Sequence, residues 1–225
     1  MTFFRLDASI RREGSVSREV ADTVQRAWVE RHPHDTVVRR DLTAPLLSPE
    51  VWLQAATAGF LPEEDRTPEQ RAALTLSSLL ADELLSADAA VITSPLYNYG
   101  VPQHLKNYID LLITDPRFMG NPALAGKPVT LVIARGGGYA PGTPREGWDH
   151  ATPYLVRIFG EYLGAELTVV TAELTLADVN PAMAELRGAA AASKAEALEL
   201  AQLTGRAHAD QVAAKRAEKQ LEGVA

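Results

Sequence analysis

Two short segments of this chain are apolar almost without interruption, and they constrain the fold more than any other feature. Residues 89–93 read Ala-Ala-Val-Ile-Thr, and residues 128–134 read Pro-Val-Thr-Leu-Val-Ile-Ala. A strand with one face in water alternates apolar and polar residues, whereas a strand covered by helices on both faces does not. We therefore predict that both segments are central strands of a parallel sheet that lies between two layers of helices.

The rest of the chain alternates between strand and helix patterns. Further strands are predicted at residues 2–7, 36–42 and 167–171. Apolar residues that recur at spacings of three and four predict helices at residues 17–30, 51–58, 68–86, 103–113 and 153–163. Parallel strands need crossover helices, so the pattern indicates a three-layer α/β fold. The usual five-stranded solution is the flavodoxin-like fold, with strand order 2-1-3-4-5.

One domain is expected for a chain of 225 residues. An Ala-rich helical region begins at Asn180 and is predicted to be interrupted at Gly188 and Gly205. We place the domain at residues 1–204 and a charged, Ala-rich helical tail at residues 205–225. The tail is expected to project from the body and fray, or to pack on a partner.

Composition excludes several classes of function. The net charge of −7 opposes nucleic acid, and the absence of cysteine removes disulfides, thiolate nucleophiles and Cys-type metal sites. No apolar run approaches the roughly 20 residues of a membrane span, and the first residues are too charged for a signal peptide. A cytoplasmic protein that binds neither membrane nor nucleic acid is the expectation.

Ligands of such sheets bind beyond the carboxyl ends of the strands, where the strand order reverses. Strands 1, 3 and 4 surround that crevice. The loops that follow them have unusual compositions: residues 9–17 are rich in Ser, Arg and Gly, residues 94–100 contain two tyrosines, and residues 136–138 are three glycines. We expect these three loops to converge on one site.

The first loop carries three hydroxyl groups, on Ser9, Ser15 and Ser17, beside Gly14 and just before a helix. The free amides at a helix N-terminus favour an anion, so a phosphate fits there. The alternative is that a serine only caps the helix. The loop has neither the GxGxxG spacing nor the Walker lysine, which argues against a dinucleotide pyrophosphate or a nucleoside triphosphate.

The second and third loops suit a flat ring. Tyr97, Asn98 and Tyr99 offer two aromatic rings and an amide where packing alone does not require them, although one tyrosine could simply cover the sheet edge. Gly136 and Gly137 could donate backbone N–H groups to ring carbonyls, or the glycines could form a tight turn. Together with a phosphate site, these features favour a heteroaromatic phosphate ligand.

These loops carry motifs of a known family. The motifs are the Ser9/Ser15/Ser17 loop, residues 95–99 followed by Gln-His-Leu-Lys-Asn-Tyr-Ile-Asp at 103–110, and Arg135-Gly136-Gly137 with the later Thr-Pro-Tyr-Leu at 152–155. On these motifs, and over nearly the whole chain to about residue 204, the sequence resembles the FMN-dependent NADH:azoreductase and quinone reductase family of flavodoxin-like enzymes.

The resemblance implies a bound FMN, NADH or NADPH as co-substrate, and quinones, azo compounds or a related flat acceptor as substrate. By that resemblance the three serines hold the FMN phosphate, and the second and third loops contact the ring. The implied cofactor-binding residues are Ser9, Ser15, Val16, Ser17, Pro95, Leu96, Tyr97, Asn98, Tyr99, Arg135, Gly136 and Gly137. It also implies a homodimer with the flavin site near the subunit interface.

The chain departs from the family pattern at several positions. Val16 stands where the family usually has Gln, Ala134 where it has a hydroxyl residue, and Tyr139 near a frequent His. Residues 114–126 also differ from the usual segment. We expect the phosphate site to survive these changes, and substrate choice to depend on the long loop at residues 138–150.

The implied reaction is a ping-pong hydride transfer through the flavin, in which the Gly136 and Gly137 amides stabilise the charge of the reduced ring. Tyr139 and His150 are the candidate catalytic proton donors. The alternative function is a flavodoxin-like electron carrier without its own substrate site.

Other site chemistries find little support in the sequence. No metal is predicted, because the pair His32 and His34 has no third ligand nearby. Asp7 is expected to orient the first loop rather than bind Mg²⁺. His104 and His208 are expected at the surface.

Overall fold

The computed structural model describes residues 1–222 and contains one parallel five-stranded sheet with the order β2-β1-β3-β4-β5. This confirms the predicted α/β architecture and strand order. The strands are β1 (Thr2–Asp7), β2 (Thr36–Asp41), β3 (Ala89–Pro95), β4 (Pro128–Ala134) and β5 (Glu166–Ala172). All seven residues of β3 and all seven of β4 are buried, as their uninterrupted apolar sequences predicted.

Six helices pack around the sheet, and the first four lie close to their predicted bounds. They are α1 (Val16–Arg31), α2 (Pro49–Ala58), α3 (Pro68–Leu85), α4 (Gln103–Ile113), α5 (Thr152–Leu155) and α6 (Arg187–Glu222). The helix predicted at residues 153–163 divides in two, because α5 continues as a wider π-helix over Val156–Tyr162. Short 3₁₀ helices occur at Glu63–Asp65, Pro116–Phe118 and Pro181–Leu186.

The sheet separates two apolar cores, and alternate strand residues point into each. Phe4 of β1 packs with α2, α3, α4 and the helix at residues 152–162, whereas its neighbour Phe3 packs with α1 and α6. Both phenylalanine side chains are fully buried. Because successive residues of a strand face opposite sides, a strand buried on both faces must be apolar throughout.

Helix α6 runs through Gly188 and Gly205 without a break, so the predicted interruptions are wrong. At Gly205 a Cβ atom would collide with the Val24 carbonyl oxygen and lie 2.8 Å from the Cβ of Ala27. Glycine is required there because α1 and α6 approach each other closely. A residue that weakens a helix locally is retained here for packing.

The segment predicted as a separate tail begins inside this continuous helix and packs on the body of the protein. Ala209 and Val212 are buried in the core formed with α1, and Lys215 lies 2.8 Å from Glu166 of β5. His208 is buried against β4, with Nδ1 3.4 Å from the Thr130 hydroxyl, so the predicted surface position of His208 is wrong. Residues 223–225 of the predicted tail lie outside the described residues.

The structure bears on two further expectations, the absence of a membrane-spanning helix and the surroundings of the histidines. Over residues 1–222, none of the helices combines the length and the apolar character that crossing a membrane requires. His32 is half-buried, with Nε2 3.1 Å from the carbonyl oxygen of Ala209. His104 is also half-buried, and its Nε2 contacts the carbonyl oxygen of Ala8.

Candidate functional site

A cleft opens at the carboxyl ends of β1, β3 and β4, where the three unusual loops were expected to meet. Its walls come from all three loops, and from a fourth segment that follows β5. The lining residues are Ser9, Arg11, Gly14, Ser15, Val16, Ser17, Pro95, Leu96, Tyr97, Ala134, Gly136, Thr175 and Leu176. Eight residues of the predicted cofactor-binding set therefore lie together in this cleft: Ser9, Ser15, Val16, Ser17, Pro95, Leu96, Tyr97 and Gly136.

The first loop presents hydrogen-bond donors at the start of α1. Ser15 caps this helix by accepting a 3.4 Å hydrogen bond from the Arg18 amide, and its hydroxyl lies 3.2 Å from that of Ser17. Within residues 1–222 the amides of Ser15, Val16 and Ser17 have no acceptor. Capping and anion binding are therefore compatible, because the cap satisfies one amide and leaves the first turn free.

Partly buried ion pairs hold this loop in place. Arg18 donates a 2.8 Å hydrogen bond to the carbonyl oxygen of Ser9 and lies 3.0 Å from Asp41 and 3.5 Å from Asp7. Burial opposes ionisation of Asp41, but hydrogen bonds from Arg18 and Thr43 outweigh it and lower its pKa to about 2. Asp7 thus orients the first loop through Arg18, as predicted.

The second loop reverses direction at Tyr97 and Gly100, whose backbones exchange two hydrogen bonds of 3.2 and 3.0 Å. Asn98 and Tyr99 between them adopt left-handed backbone angles, with φ of 48° and 68°. Residues other than glycine rarely adopt these angles, and those that do cluster at functional sites. The Tyr97 hydroxyl accepts a 3.2 Å hydrogen bond from the Ile10 amide, which joins the first and second loops.

The third loop is fixed by the segment after β5. The carbonyl oxygens of Gly136 and Gly137 accept hydrogen bonds from the amides of Leu176 and Leu174. In the described part of the chain the Gly136 and Gly137 amides have no acceptor themselves. The protein therefore satisfies the carbonyl side of this loop. Gly136 lines the cleft and offers its amide there, whereas Gly137 is buried beside it.

The side chain of Arg135 contacts the surrounding loops and does not line the cleft. Its guanidinium lies 2.6 Å from Asp149 and 2.8 Å from Glu173, and it donates a 3.2 Å hydrogen bond to the Thr152 hydroxyl. Burial raises the pKa of Asp149, but hydrogen bonds from Thr152 and the charge of Arg135 outweigh this and hold it below its ordinary value. Arg135 thus connects the long loop after β4 with the segment after β5.

The two predicted proton donors and the two remaining loop residues lie outside the cleft wall. Tyr139 is half-buried, with its ring centroid 6.4 Å from that of Tyr99. His150 is exposed, and its backbone amide donates a 2.9 Å hydrogen bond to the Tyr99 carbonyl oxygen. Asn98 is exposed at the tip of the second loop.

Sequence reasoning missed Arg11, Thr175 and Leu176, which all line the cleft. The segment after β5 has no unusual composition, so no motif marked it. Its position did provide a signal, because β5 is adjacent to β4 and its carboxyl end reaches the same edge of the sheet.

This arrangement fits a particular shape of ligand. The three buried hydroxyls and the free amides at the start of α1 suit a phosphate, whose negative charge the helix dipole also favours. The free Gly136 amide, together with Pro95 and Tyr97, suits a flat ring that carries carbonyl acceptors. Across residues 1–222 no three metal-binding side chains form a cluster.

Known proteins are similar to this chain in sequence and in fold. Residues 1–199, which include all three loops, match a family model described as Flavodoxin-like fold. An FMN-dependent NADH:quinone oxidoreductase of Streptomyces avermitilis is 42% identical over 216 residues, which cover 95% of this chain and 99% of that protein. Another of the same name, from a Parafrankia species, is 42% identical over 202 residues, 87% of this chain and 94% of its own.

Solved structures agree with these relatives. The crystal structure of azoreductase AzrA has a TM-score of 0.74 and 25% identity, covering 92% of this chain and 99% of its own. An azoreductase from Bacillus anthracis has a TM-score of 0.71 and 25% identity, covering 91% and 98%. The chain is therefore similar over nearly its whole length both to NADH:quinone oxidoreductases and to azoreductases.

Proposed function

The chain belongs to the flavodoxin-like family that includes these NADH:quinone oxidoreductases and azoreductases, and on that premise we propose that it is an FMN-dependent enzyme that transfers hydride from NADH to quinones or azo compounds. One observation carries the proposal beyond similarity of sequence. Free amides and buried hydroxyls for a phosphate lie in the same cleft as the free amide of Gly136 and the side chains of Pro95 and Tyr97, which suit a flat ring. FMN has these two parts.

The residues of the cleft divide between the two parts of FMN. Ser9, Ser15 and Ser17 would hold the phosphate with their hydroxyls, and the amide of Val16 would add a backbone donor. The change from the family's usual Gln to Val16 is tolerated because the donor at this position is the backbone. Pro95, Leu96 and Tyr97 would contact the ring, with Asn98 and Tyr99 at its rim.

FMN, when bound, supplies a ring that accepts hydride from NADH and passes it to the acceptor. The protein would bind and orient the ring and stabilise the negative charge that develops on it. Gly136 and Gly137 would aim their amides at the carbonyl end of the ring, where preorganised dipoles favour negative charge. Arg135 acts indirectly, because its ion pairs position the segment whose amides hold the glycine carbonyls.

We propose that the two substrates use the cleft in turn, so that NAD⁺ leaves before the acceptor binds. Parallel double-reciprocal plots of initial rates at several quinone concentrations would support this order, and intersecting plots would exclude it. Tyr139 and His150 are the proton-donor candidates for the second half-reaction. If Tyr139 or His150 is the donor, its replacement (Tyr139→Phe or His150→Gln) lowers the rate of quinone reduction. The rate at which NADH reduces the flavin stays unchanged.

A homodimer with the flavin site near the interface is the proposed assembly. An apolar groove between α2, α3 and α4 supports it, since the Phe60 side chain is 91% exposed and exposed Trp52 and Met119 line the same groove. Leu46, in the loop after β2, is exposed as well. Unpaired patches of this kind mark protein interfaces. Phe60→Asp is expected to convert a dimer to a monomer in light scattering, whereas Leu221→Asp is not.

The proposed function is tested by anaerobic visible spectra of the protein loaded with FMN. NADH is expected to bleach the bound flavin without any partner protein, and a benzoquinone is expected to restore its absorbance. NADPH is expected to act less well, because the relatives' names specify NADH. Bound flavin that NADH does not bleach would favour the electron carrier, and absence of FMN binding would exclude both. A cytoplasmic location is proposed because NADH is the electron donor.

A further inference from the structure

The loop at residues 138–150 folds back over the ring of Tyr99. The Trp148 ring meets the Tyr99 ring edge-on at a centroid distance of 5.2 Å. The guanidinium carbon of Arg145 lies 5.9 Å from the centroid of the same ring, within the range of a cation–π contact. Turns at Gly142 and Gly147, with φ of 81° and 76°, bracket Arg145. The loop thus holds an exposed cation, Arg145, beside Tyr99, which follows Tyr97 of the cleft wall by two residues.

Arg145 also lies against the third loop. A Cβ atom on Gly137 would come within 2.8 Å of Nη1 of Arg145, so the guanidinium occupies the space beside this glycine. The Gly137 amide has no acceptor within residues 1–222. Arg145 therefore lies beside the residue that follows Gly136 of the cleft wall.

The charge of Arg145 is not neutralised by the protein. Over residues 1–222 its guanidinium forms no ion pair and donates no hydrogen bond, in contrast to Arg18 and Arg135 at the same edge. The adjacent carboxylate, Glu146, accepts a 2.7 Å hydrogen bond from the Gly142 amide. An unpaired guanidinium with several N–H donors is suited to a partner that carries negative charge.

We propose that Arg145 binds the carbonyl end of the flavin ring and stabilises the negative charge that the ring gains on reduction. This inference rests on the proposed function. Hydride from NADH brings two electrons and one proton, so NAD⁺ is released and the ring gains one negative charge. A cation beside Gly137 favours the reduced ring over the oxidised ring and makes the flavin easier to reduce.

The experiment compares the two-electron midpoint potential of the FMN-loaded protein in four forms: wild type, Arg145→Gln, Arg145→Lys and Arg26→Gln. Arg26 is exposed on α1, away from the cleft, so its replacement changes net charge equally. We expect Arg145→Gln to weaken binding of reduced FMN about tenfold more than binding of oxidised FMN. That ratio makes the potential about 30 mV more negative for a two-electron couple. Arg145→Lys keeps the charge and should lie between, and Arg26→Gln should match wild type.

Each other outcome has a definite meaning. An unchanged potential in Arg145→Gln overturns the inference, including the case in which only KM for an anionic acceptor rises, because Arg145 then acts on the substrate. Equal shifts in Arg145→Gln and Arg26→Gln also overturn it, since the effect is then one of net charge. Failure of the wild-type protein to bind FMN overturns the proposed function itself, and this inference with it.

Discussion

Nη2 of Arg18 donates a 2.8 Å hydrogen bond to the carbonyl oxygen of Ser9, which ties the first turn of α1 to the loop that precedes it. The same side chain reaches Asp41 at 3.0 Å and Asp7 at 3.5 Å, and Asp7 is paired in turn with buried Arg5 at 2.9 Å. The loop that offers donors to a phosphate is therefore held by charges inside the protein before any ligand binds. Such preorganisation reduces the entropy lost on binding.

Replacing Arg18 with Met is expected to lower the free energy of unfolding by about 2 kcal/mol, because Asp41 and Asp7 lose a charged hydrogen-bond partner, although Asp7 keeps Arg5 and Asp41 keeps Thr43. Urea unfolding at pH 7 measures the change. Arg39→Met is the matched control, since exposed Arg39 contacts only Gln25 in its hydrogen bonds. The control variant should lower the free energy of unfolding by less than about 0.5 kcal/mol. Equal losses in the two variants would contradict the bracing role of Arg18.

Ser17→Ala is expected to weaken FMN binding about tenfold, since a hydrogen bond to a charged group contributes about 1.5 kcal/mol. Quenching of flavin fluorescence measures the affinity. Riboflavin, which lacks the phosphate, should bind both proteins equally. The control Ser86→Ala removes an exposed hydroxyl at the opposite end of the sheet, before β3. A similar loss of riboflavin affinity in Ser17→Ala would assign Ser17 to the ring instead.

The two glycines of α6 are expected to respond in opposite directions to the same change. Gly205→Ala should destabilise the protein by about 3 kcal/mol or more, because its Cβ collides with the backbone of α1. Gly188→Ala meets no atom within 4 Å and should stabilise by about 0.5 kcal/mol through helix propensity. Thermal unfolding of both variants measures the difference. Destabilisation of equal size would show that the close approach of α1 and α6 is not the cause.

The stability of the protein is expected to fall as the pH drops from about 6.5 to about 4. Burial lowers the pKa of His208 to about 4, although nearby Glu166 opposes the shift. In this interval the unfolded chain binds a proton that the folded protein does not, so protonation favours unfolding. The difference between pKa values of 6.5 and about 4 amounts to about 3 kcal/mol at the acid end.

Unfolding of wild type, His208→Gln and His34→Gln between pH 4 and pH 7 tests this dependence. The variant at His208 should lose most of the slope in that interval. His34 is exposed at the turn before β2, so its replacement should leave the slope as in wild type. A slope that persists in His208→Gln would assign the acid sensitivity to another group.

The amino-acid sequence was sufficient to predict the sheet and the position of the site. Uninterrupted apolar runs predicted β3 and β4 because burial on both faces leaves no place for alternating polar residues. In a sheet with the order 2-1-3-4-5, the loops after β1, β3 and β4 lie at one edge of the sheet. The serines of the first loop and the glycines of the third are local motifs, so their types and spacing are visible without a structure.

Tertiary structure decided the features that depend on residues far apart in the chain. Arg135 resembles a cofactor ligand in sequence, but the register of β4 against β5 brings it to Glu173, 38 residues away. Thr175 and Leu176 enter the cleft through the same pairing of strands.

The same holds for α6. Glycine disfavours a helix locally, yet the close approach of α1 makes Gly205 the residue that fits. On the side of α6 that packs against the sheet, the contact with β4 buries His208. Periodicity and turn chemistry are local properties and are encoded by neighbouring residues. Which buried charge meets which, and how closely two helices approach, are settled only when the packed elements take up their final distances.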